Sequence, residues 1–535
     1  MSRNQGTDRR HSCRAALSFV LALVLGGAVM ASAQGYQGPK EKLHVYLLTG
    51  GSVMGGEAEM GAEASQILER CYLLTSEGKW EPAQGALNRY SSLSKGQKLF
   101  KLGPARSFAK ALLAANPDIS LGLVVNAGES GDCPPEKWNY KSETYRATRK
   151  RVTEACKTGT LKGMLWYQDQ IKEAPVLSNL KDLIASLRGD FAALNLPVVV
   201  GGMVDPEGPV SAMDSVNRAL LADVHAVGIV RLDTGTVKTP QADAAIMERL
   251  GTRYAEEMLK LQEMGEARRK NRKPSGVPYI DAHIHASQTA VNGLDIVAQW
   301  MEKSHVVRCV SKPLDPTRDK NEAQRKTMLA NFKKYKGKIE RFCIIYPEEV
   351  KSVEEAVKIL EREKAEGAIG FGEHYGVSLM FDDPANLRLY AACEQVGMPV
   401  HFHIDANKNM DERGLPRLER VLKMFPKLNF IAHAEFWLEM SNGTCDRLLQ
   451  TYPNLYAEPS GHRMAIELNR DRTYTKKFLE RNADKILFGT DEGWWSFGKS
   501  ERAIQFELFE ELDLPDEVRA KIYHKNAERV FGFGK

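Results

Sequence analysis

Eight short runs rich in β-branched and apolar residues recur at 277–283, 305–310, 342–346, 368–373, 399–404, 428–433, 454–458 and 485–490. Segments with helical spacing separate most of them. Leu294, Val297, Trp300 and Met301 share one helix face, and Asp383-Pro384 opens another helix with a capping side chain and a first-turn proline. Eight strands alternating with helices over about 260 residues is the arithmetic of a (β/α)8 TIM barrel, an α/β fold with a parallel sheet. Such a barrel builds its site at the C-terminal ends of the strands, so polar residues closing these runs are the first candidates for chemistry.

A chain of 535 residues exceeds one ordinary core and predicts two or three domains. The apolar pattern lapses at residues 265–276, where Arg268-Arg269-Lys270-Asn271-Arg272-Lys273-Pro274-Ser275-Gly276 reads as a solvated basic linker. It divides a first domain, 43–264, from the barrel, 277–535. At 43% hydrophobic and 27% charged residues the composition is that of a soluble globular protein. The net charge of +5 is spread along the chain, which argues against nucleic acid or an anionic membrane as partner.

Residues 1–33 read as an export signal. Arg9, Arg10 and Arg14 precede an apolar run at 15–29, and Ala31-Ser32-Ala33 supplies small residues for cleavage. The expectation is a periplasmic or secreted protein with no membrane-spanning segment in the mature chain, an uncleaved anchor being the alternative. Beyond Cys13 the cysteines are scattered, with no Cys-x-x-Cys, which argues against a disulfide framework; Cys133 with Cys156 is the one candidate pair.

Strand one ends in Asp281-Ala282-His283-Ile284-His285, strand four in Glu373, strand five in His401-Phe402-His403, strand six in His433, and strand eight in Asp491. Two histidines two apart on a strand point to one face and can grip one metal ion. His401 shares the face of His403 a layer deeper in the barrel and reads as a core histidine.

These motifs, with Phe425 to His433, Tyr452-Pro453-Asn454-Leu455-Tyr456 and Lys485 to Asp491, resemble the amidohydrolase superfamily, in the branch of metal-dependent hydrolases and non-oxidative decarboxylases. The resemblance covers nearly all of 277–533. It implies one divalent ion held by His283, His285, His403 and Asp491, with zinc the first expectation and manganese or another divalent ion the alternative. The ion would activate a water, Asp491 would move its proton, and His433 would orient the water or stabilise the developing oxyanion. Glu373 departs from many relatives: it either bridges to a second metal or hydrogen-bonds a ligand histidine, the second being preferred. Trp494 and Trp495 either wall an apolar pocket or pack within their loop.

The first domain opens on an apolar strand at 43–48, followed by Thr49-Gly50-Gly51-Ser52-Val53-Met54-Gly55-Gly56. With Trp166-Tyr167-Gln168, the run 196–201 and the segment 249–255, it resembles the SGNH-type carbohydrate esterases of the sialate O-acetylesterase group, over about 43–261. That implies an α/β sandwich around a parallel sheet with Ser52 at the nucleophile position. Against Gly-Gln-Ser-Asn-Met, the block Gly50 to Met54 lacks two amide side chains; Trp166 to Gln170 replaces Trp-x-Gln-Gly-Glu; and Asp233 to Asp243 offers no histidine for Asp-x-x-His. His225 is the only nearby candidate base and an inadequate one. A serine without a base is a weak nucleophile, so the Ser52 site is read as degenerate, retained for packing or for a carbohydrate ligand.

The expected function is an exported metal-dependent hydrolase, in which activated water attacks a C–N or C–O bond of an amide, ester or lactone in a small-molecule substrate. The alternatives are a metal-dependent decarboxylase using the same site, O-acetylesterase activity or ligand binding in the first domain, and a binding protein without turnover. Neither the substrate nor the oligomeric state is legible in the sequence.

Overall fold

The computed structural model describes residues 35–93, 101–128, 138, 142–167, 175–204, 220–221, 224, 226–233, 242–271, 276–314, 321–497 and 503–533. The export signal, Cys133, His225 and Gln168 to Gln170 lie outside the described residues.

The first domain is one seven-stranded sheet. In chain order its strands are β1 (Leu43–Gly50), β2 (Cys71–Leu74), β3 (Trp80–Pro82), β4 (Ser120–Ala127), β5 (Thr160–Tyr167), β6 (Val198–Val204) and β7 (Val227–Asp233). They lie in the order β3-β2-β4-β1-β5-β6-β7, parallel except for the β2–β3 pair. The central strand β1 is buried on both faces, which is why it reads as continuous apolar sequence. Tyr46 and Leu48 pack beneath helices Ala105–Ala115 and Ala244–Asn271, and Val45 and Leu47 beneath Glu143–Thr158 and Pro175–Asp190. Helix Ala244–Asn271 carries on through the first part of the expected linker. Arg268, Arg269 and Lys270 therefore ride its exposed last turns, where positive charge favours the helix dipole, and the chain leaves the helix only after Asn271.

The second sheet runs in sequence order: β8 (Tyr279–His285), β9 (Val306–Ser311), β10 (Ile339–Cys343), β11 (Ala368–His374), β12 (Val400–Ile404), β13 (Phe430–Ala434) and β14 (Leu455–Ala457), with β15 (Glu492–Gly493) beside β8. Every pair is parallel. Residues 485–491 join the two ends. Ala457 N donates to Lys485 O and Leu487 N to Ala457 O, while Ala282 N donates to Phe488 O and Asp491 N to His283 O. The eighth run thus bonds to strand seven on one side and to strand one on the other. Ile280, Ala282, Val310, Phe342, Ile431 and Leu487 fill the interior with Val530 and Phe531 of helix Asn526–Phe531. That apolar floor leaves only the opposite end of the barrel open to polar chemistry.

The domains meet where helix Pro175–Asp190 packs on helix Gly461–Arg470. Arg470 pairs with Asp182, Asn195 Nδ2 donates to Glu507 and Glu511, and Arg472 bonds both Asn195 and Glu511. Among the described residues no helix is long and apolar enough to cross a membrane.

Candidate metal centre

His283 and His285 leave the end of β8 on the same side, and their Nε2 atoms stand 3.0 Å apart. Glu373, next to last in β11, sets Oε2 3.3 Å from His283 Nε2 and 3.2 Å from His285 Nε2. Asp491 Oδ1 lies 3.6 Å and 3.2 Å from the same two nitrogens. Its φ of +61° is one that aspartate tolerates better than most side chains, and the backbone is pinned there by the bond from Asp491 N to His283 O.

Across the barrel, His403 and His433 are register partners on β12 and β13. His403 Nδ1 lies 2.6 Å from Glu373 Oε1, and His433 Nε2 lies 3.7 Å from the same oxygen. Among the described residues, three groups have the composition and spacing to hold a cation: His283, His285 and Asp491; Glu373, His403 and His433; and His283, His401, His433 and Glu458. Glu373 faces the first two, one oxygen to each.

Each imidazole is held by its other nitrogen. His285 Nδ1 faces Lys312 O at 3.1 Å, and His403 Nε2 faces Asp405 Oδ2 at 3.0 Å. His283 Nδ1 and His433 Nδ1 both face Glu458 Oε1, at 2.7 Å and 2.9 Å. His401, fully buried, places Nε2 3.0 Å from that same oxygen.

Burial opposes charge on His283, but the carboxylates of Asp491, Glu458 and Glu373 outweigh it and raise the ring to about 10. His285 is raised for the same reason, by Asp491 and Glu373. Burial likewise works against the Glu373 and Glu458 charges, yet the surrounding histidines hold both carboxyls well below the usual range. Burial, with Lys312 nearby, keeps His401 neutral. The donor set, imidazoles and carboxylates in a buried cluster, suits a divalent metal.

His283, His285 and Asp491 come together as the sequence predicts, and Glu373 joins them. His403, expected with that first set, instead packs with His433 on the far side of Glu373, because β12 and β13 lie across the barrel from β8. His401 is buried as a core histidine, as expected, with Glu458 as its partner. Glu458, Ser460, Asp405 and Lys312 were not among the sequence candidates. Glu458 had a usable signal, since it is the polar residue closing the seventh run. Trp495 has its ring centre 5.8 Å from His285, and it and Trp494 remain 44% and 48% exposed, so the pair stands at the rim.

In the first domain Gly50 has φ +115°, and a Cβ there would fall 2.2 Å from Tyr167 O, so only glycine allows the turn into Ser52. Ser52 is buried at the start of a one-turn helix. The single histidine among the described residues of this domain, His44, sits at the other end of β1.

Residues 280–533 match the amidohydrolase family model, and residues 42–260 match that of the sialic acid-specific acetylesterase carbohydrate esterases. Among solved structures, a protein from Arabidopsis thaliana is 22% identical over 41% of this chain and 98% of its own, with a TM-score of 0.36. An uncharacterised TIM-barrel protein from Bordetella bronchiseptica is 20% identical over 48% of this chain and 99% of its own, TM-score 0.37. The 5-carboxyvanillate decarboxylase of Novosphingobium aromaticivorans, solved with manganese, is 12% identical over 48% and 97%, TM-score 0.33. No curated protein matches the chain.

Proposed function

We propose that the amidohydrolase domain is a two-metal hydrolase acting on a C–N or C–O bond of a small molecule. The observation that carries this reading is Glu373, whose two oxygens face His283 with His285 on one side and His403 with His433 on the other. His283, His285 and Asp491 would hold one ion and His403 and His433 the other, with Glu373 between them; this extends the single-ion expectation. Zinc suits these imidazole and carboxylate donors, and manganese is the alternative. Divalent ions held there lower the pKa of a water and polarise an acyl oxygen.

The chain's own residues do the rest. Asp491 is the one carboxylate of the cluster with substantial solvent access, its side chain 27% exposed, and it is placed to take a proton from water and return it to a leaving group. Tyr375 donates to Glu373 Oε2 at 3.0 Å and steadies that carboxylate. Trp494 and Trp495 give the rim an apolar surface for substrate. The first domain serves in packing or ligand binding rather than turnover, and the signal-like sequence of residues 1–33 supports export as part of this reading.

Metal analysis of protein reconstituted with zinc or manganese tests the reading, with about two equivalents expected. A panel of amides, esters and lactones should then show metal-dependent hydrolysis. Release of carbon dioxide from an aromatic or aliphatic acid, with no hydrolysis, would assign the site to decarboxylation instead.

A further inference from the structure

We propose that Glu458 is the positioning residue of this centre: its carboxylate fixes the protons of His283 and His433 on Nδ1, so that both present their Nε2 lone pairs to the metal groups. The inference rests on the metal-centre reading above and adds a residue that reading does not use.

An ionised carboxylate only accepts hydrogen bonds. Oε1 of Glu458 has His283 Nδ1 at 2.7 Å, His433 Nδ1 at 2.9 Å, His401 Nε2 at 3.0 Å and the Ser460 hydroxyl, which donates to it, at 2.8 Å. Each ring nitrogen facing it must therefore carry hydrogen, which leaves Nε2 of His283 and His433 as the acceptor side. Those are the atoms turned towards Glu373. One carboxylate thus sets a ligand in each of the two metal groups.

His283, His401, His433 and Glu458 could themselves be taken for a metal site. The carboxylate oxygen of that group is already engaged by the Ser460 hydroxyl, which donates to it, as well as by the three ring nitrogens. Ligands about 2.0–2.1 Å from a tetrahedral ion stand about 3.3 Å from one another. Glu458 Oε1 takes its partners at 2.7 to 3.0 Å, as hydrogen bonds, whereas the oxygens of Glu373 and Asp491 stand 3.2 to 3.6 Å from His283 Nε2 and His285 Nε2.

The surroundings hold Glu458 rigidly. Its N–H donates to Ala432 O, its carbonyl accepts from Trp437 Nε1 at 3.1 Å, and a Cβ on Gly489 would fall 2.5 Å from Oε2. Trp437 thus holds the Glu458 main chain, and Gly489 leaves the space that its carboxylate fills. A group that orients ligand histidines in this way typically contributes 10- to 100-fold in metal affinity.

The test compares wild type with Glu458→Gln, both loaded with zinc. Zinc affinity is read by competition with a chelator, and the protonated ring nitrogen by long-range 1H–15N correlation on histidine-labelled protein. Wild type should show Nδ1–H on His283 and His433. Glu458→Gln, whose amide can donate as well as accept, should bind zinc 10- to 100-fold more weakly and lose the uniform Nδ1–H pattern. Unchanged affinity with unchanged ring protons would overturn the positioning role and leave the metal centre standing. Wild type that takes up no zinc would overturn both. Should Glu458→Gln fail to fold, the wild-type spectrum still decides, because Nε2–H on either ring contradicts the proposal.

Discussion

His283 and His285 hold their Nε2 atoms 3.0 Å apart, with the carboxylates of Glu373 and Asp491 within 3.6 Å of both. Two imidazoles at that distance compete for one proton unless a cation replaces it. Burial opposes charge on His283, but the carboxylates around it raise the ring to about 10, so at pH 7 to 8 it carries a proton that ligation through Nε2 must displace. Metal uptake should therefore release at least about one proton, and affinity should climb with pH up to about 10. Calorimetry in buffers of different ionisation enthalpy measures the release directly. No proton released at pH 7.5 would contradict the donor assignment.

His403 separates the one-ion and two-ion arrangements. Its nearest partners are Glu373 and Asp405, not His283 or His285. His403→Ala should cut the metal content from about two equivalents to about one and abolish most hydrolysis, because the first group keeps all its donors. A variant that loses both ions would show that His403 serves the first group after all.

Asp281 staples the eighth segment to strand one. Its Oδ1 accepts from His283 N and Thr490 N, and its Oδ2 from the Thr490 hydroxyl at 2.6 Å, all fully buried. Asp281→Ala leaves two buried N–H groups without partners and should cost about 2–5 kcal/mol in urea unfolding. Asp281→Asn keeps an acceptor for them and should cost less. Both should loosen Asp491, which follows Thr490, so metal affinity should fall in the same order as stability.

The barrel was legible because its strands announce themselves by spacing, and His283, His285 and Asp491 because strand ends converge by construction. Which ligands share an ion was not legible: the placement of His403 beside His433 follows from barrel register, and sequence spacing carries no angle around the barrel axis. Glu458 closes the seventh run and so carries a positional signal, but a carboxylate that supports ligands looks in sequence like any capping residue. The basic segment is solvated, but its first part is helical. Residues 265–271 have no apolar stripe because that end of helix Ala244–Asn271 projects into solvent, and periodicity cannot distinguish an exposed helix end from a loop.

Ser52 tests whether the first domain has kept any chemistry. The only histidine among its described residues, His44, lies at the far end of β1, and burial pushes that ring down to about 4, so it stays neutral at pH 7 yet cannot reach Ser52. Ser52→Ala should leave hydrolysis of an aryl acetate unchanged within about twofold, since His44, the single histidine among the described residues of this domain, stands at the opposite end of β1. A drop of tenfold or more on substitution would show that the domain supplies a base from elsewhere and is an active esterase.

Gly489 offers a way to disturb the centre without touching a donor. A Cβ at this position would fall 2.5 Å from Glu458 Oε2 and 3.4 Å from Ser460 Cβ. Glu458 cannot simply swing aside, because its other oxygen is shared among His283, His401, His433 and Ser460. Gly489→Ala should therefore shift the carboxylate, tilt both ligand rings and weaken zinc binding by about tenfold, with hydrolysis falling in parallel. The control is Gly414→Ala, whose added Cβ meets nothing within 4 Å, although its φ of +87° carries its own backbone cost. If both variants lose stability equally and Gly489→Ala keeps full zinc affinity, the contact between Gly489 and Glu458 has no part in holding the metal ligands.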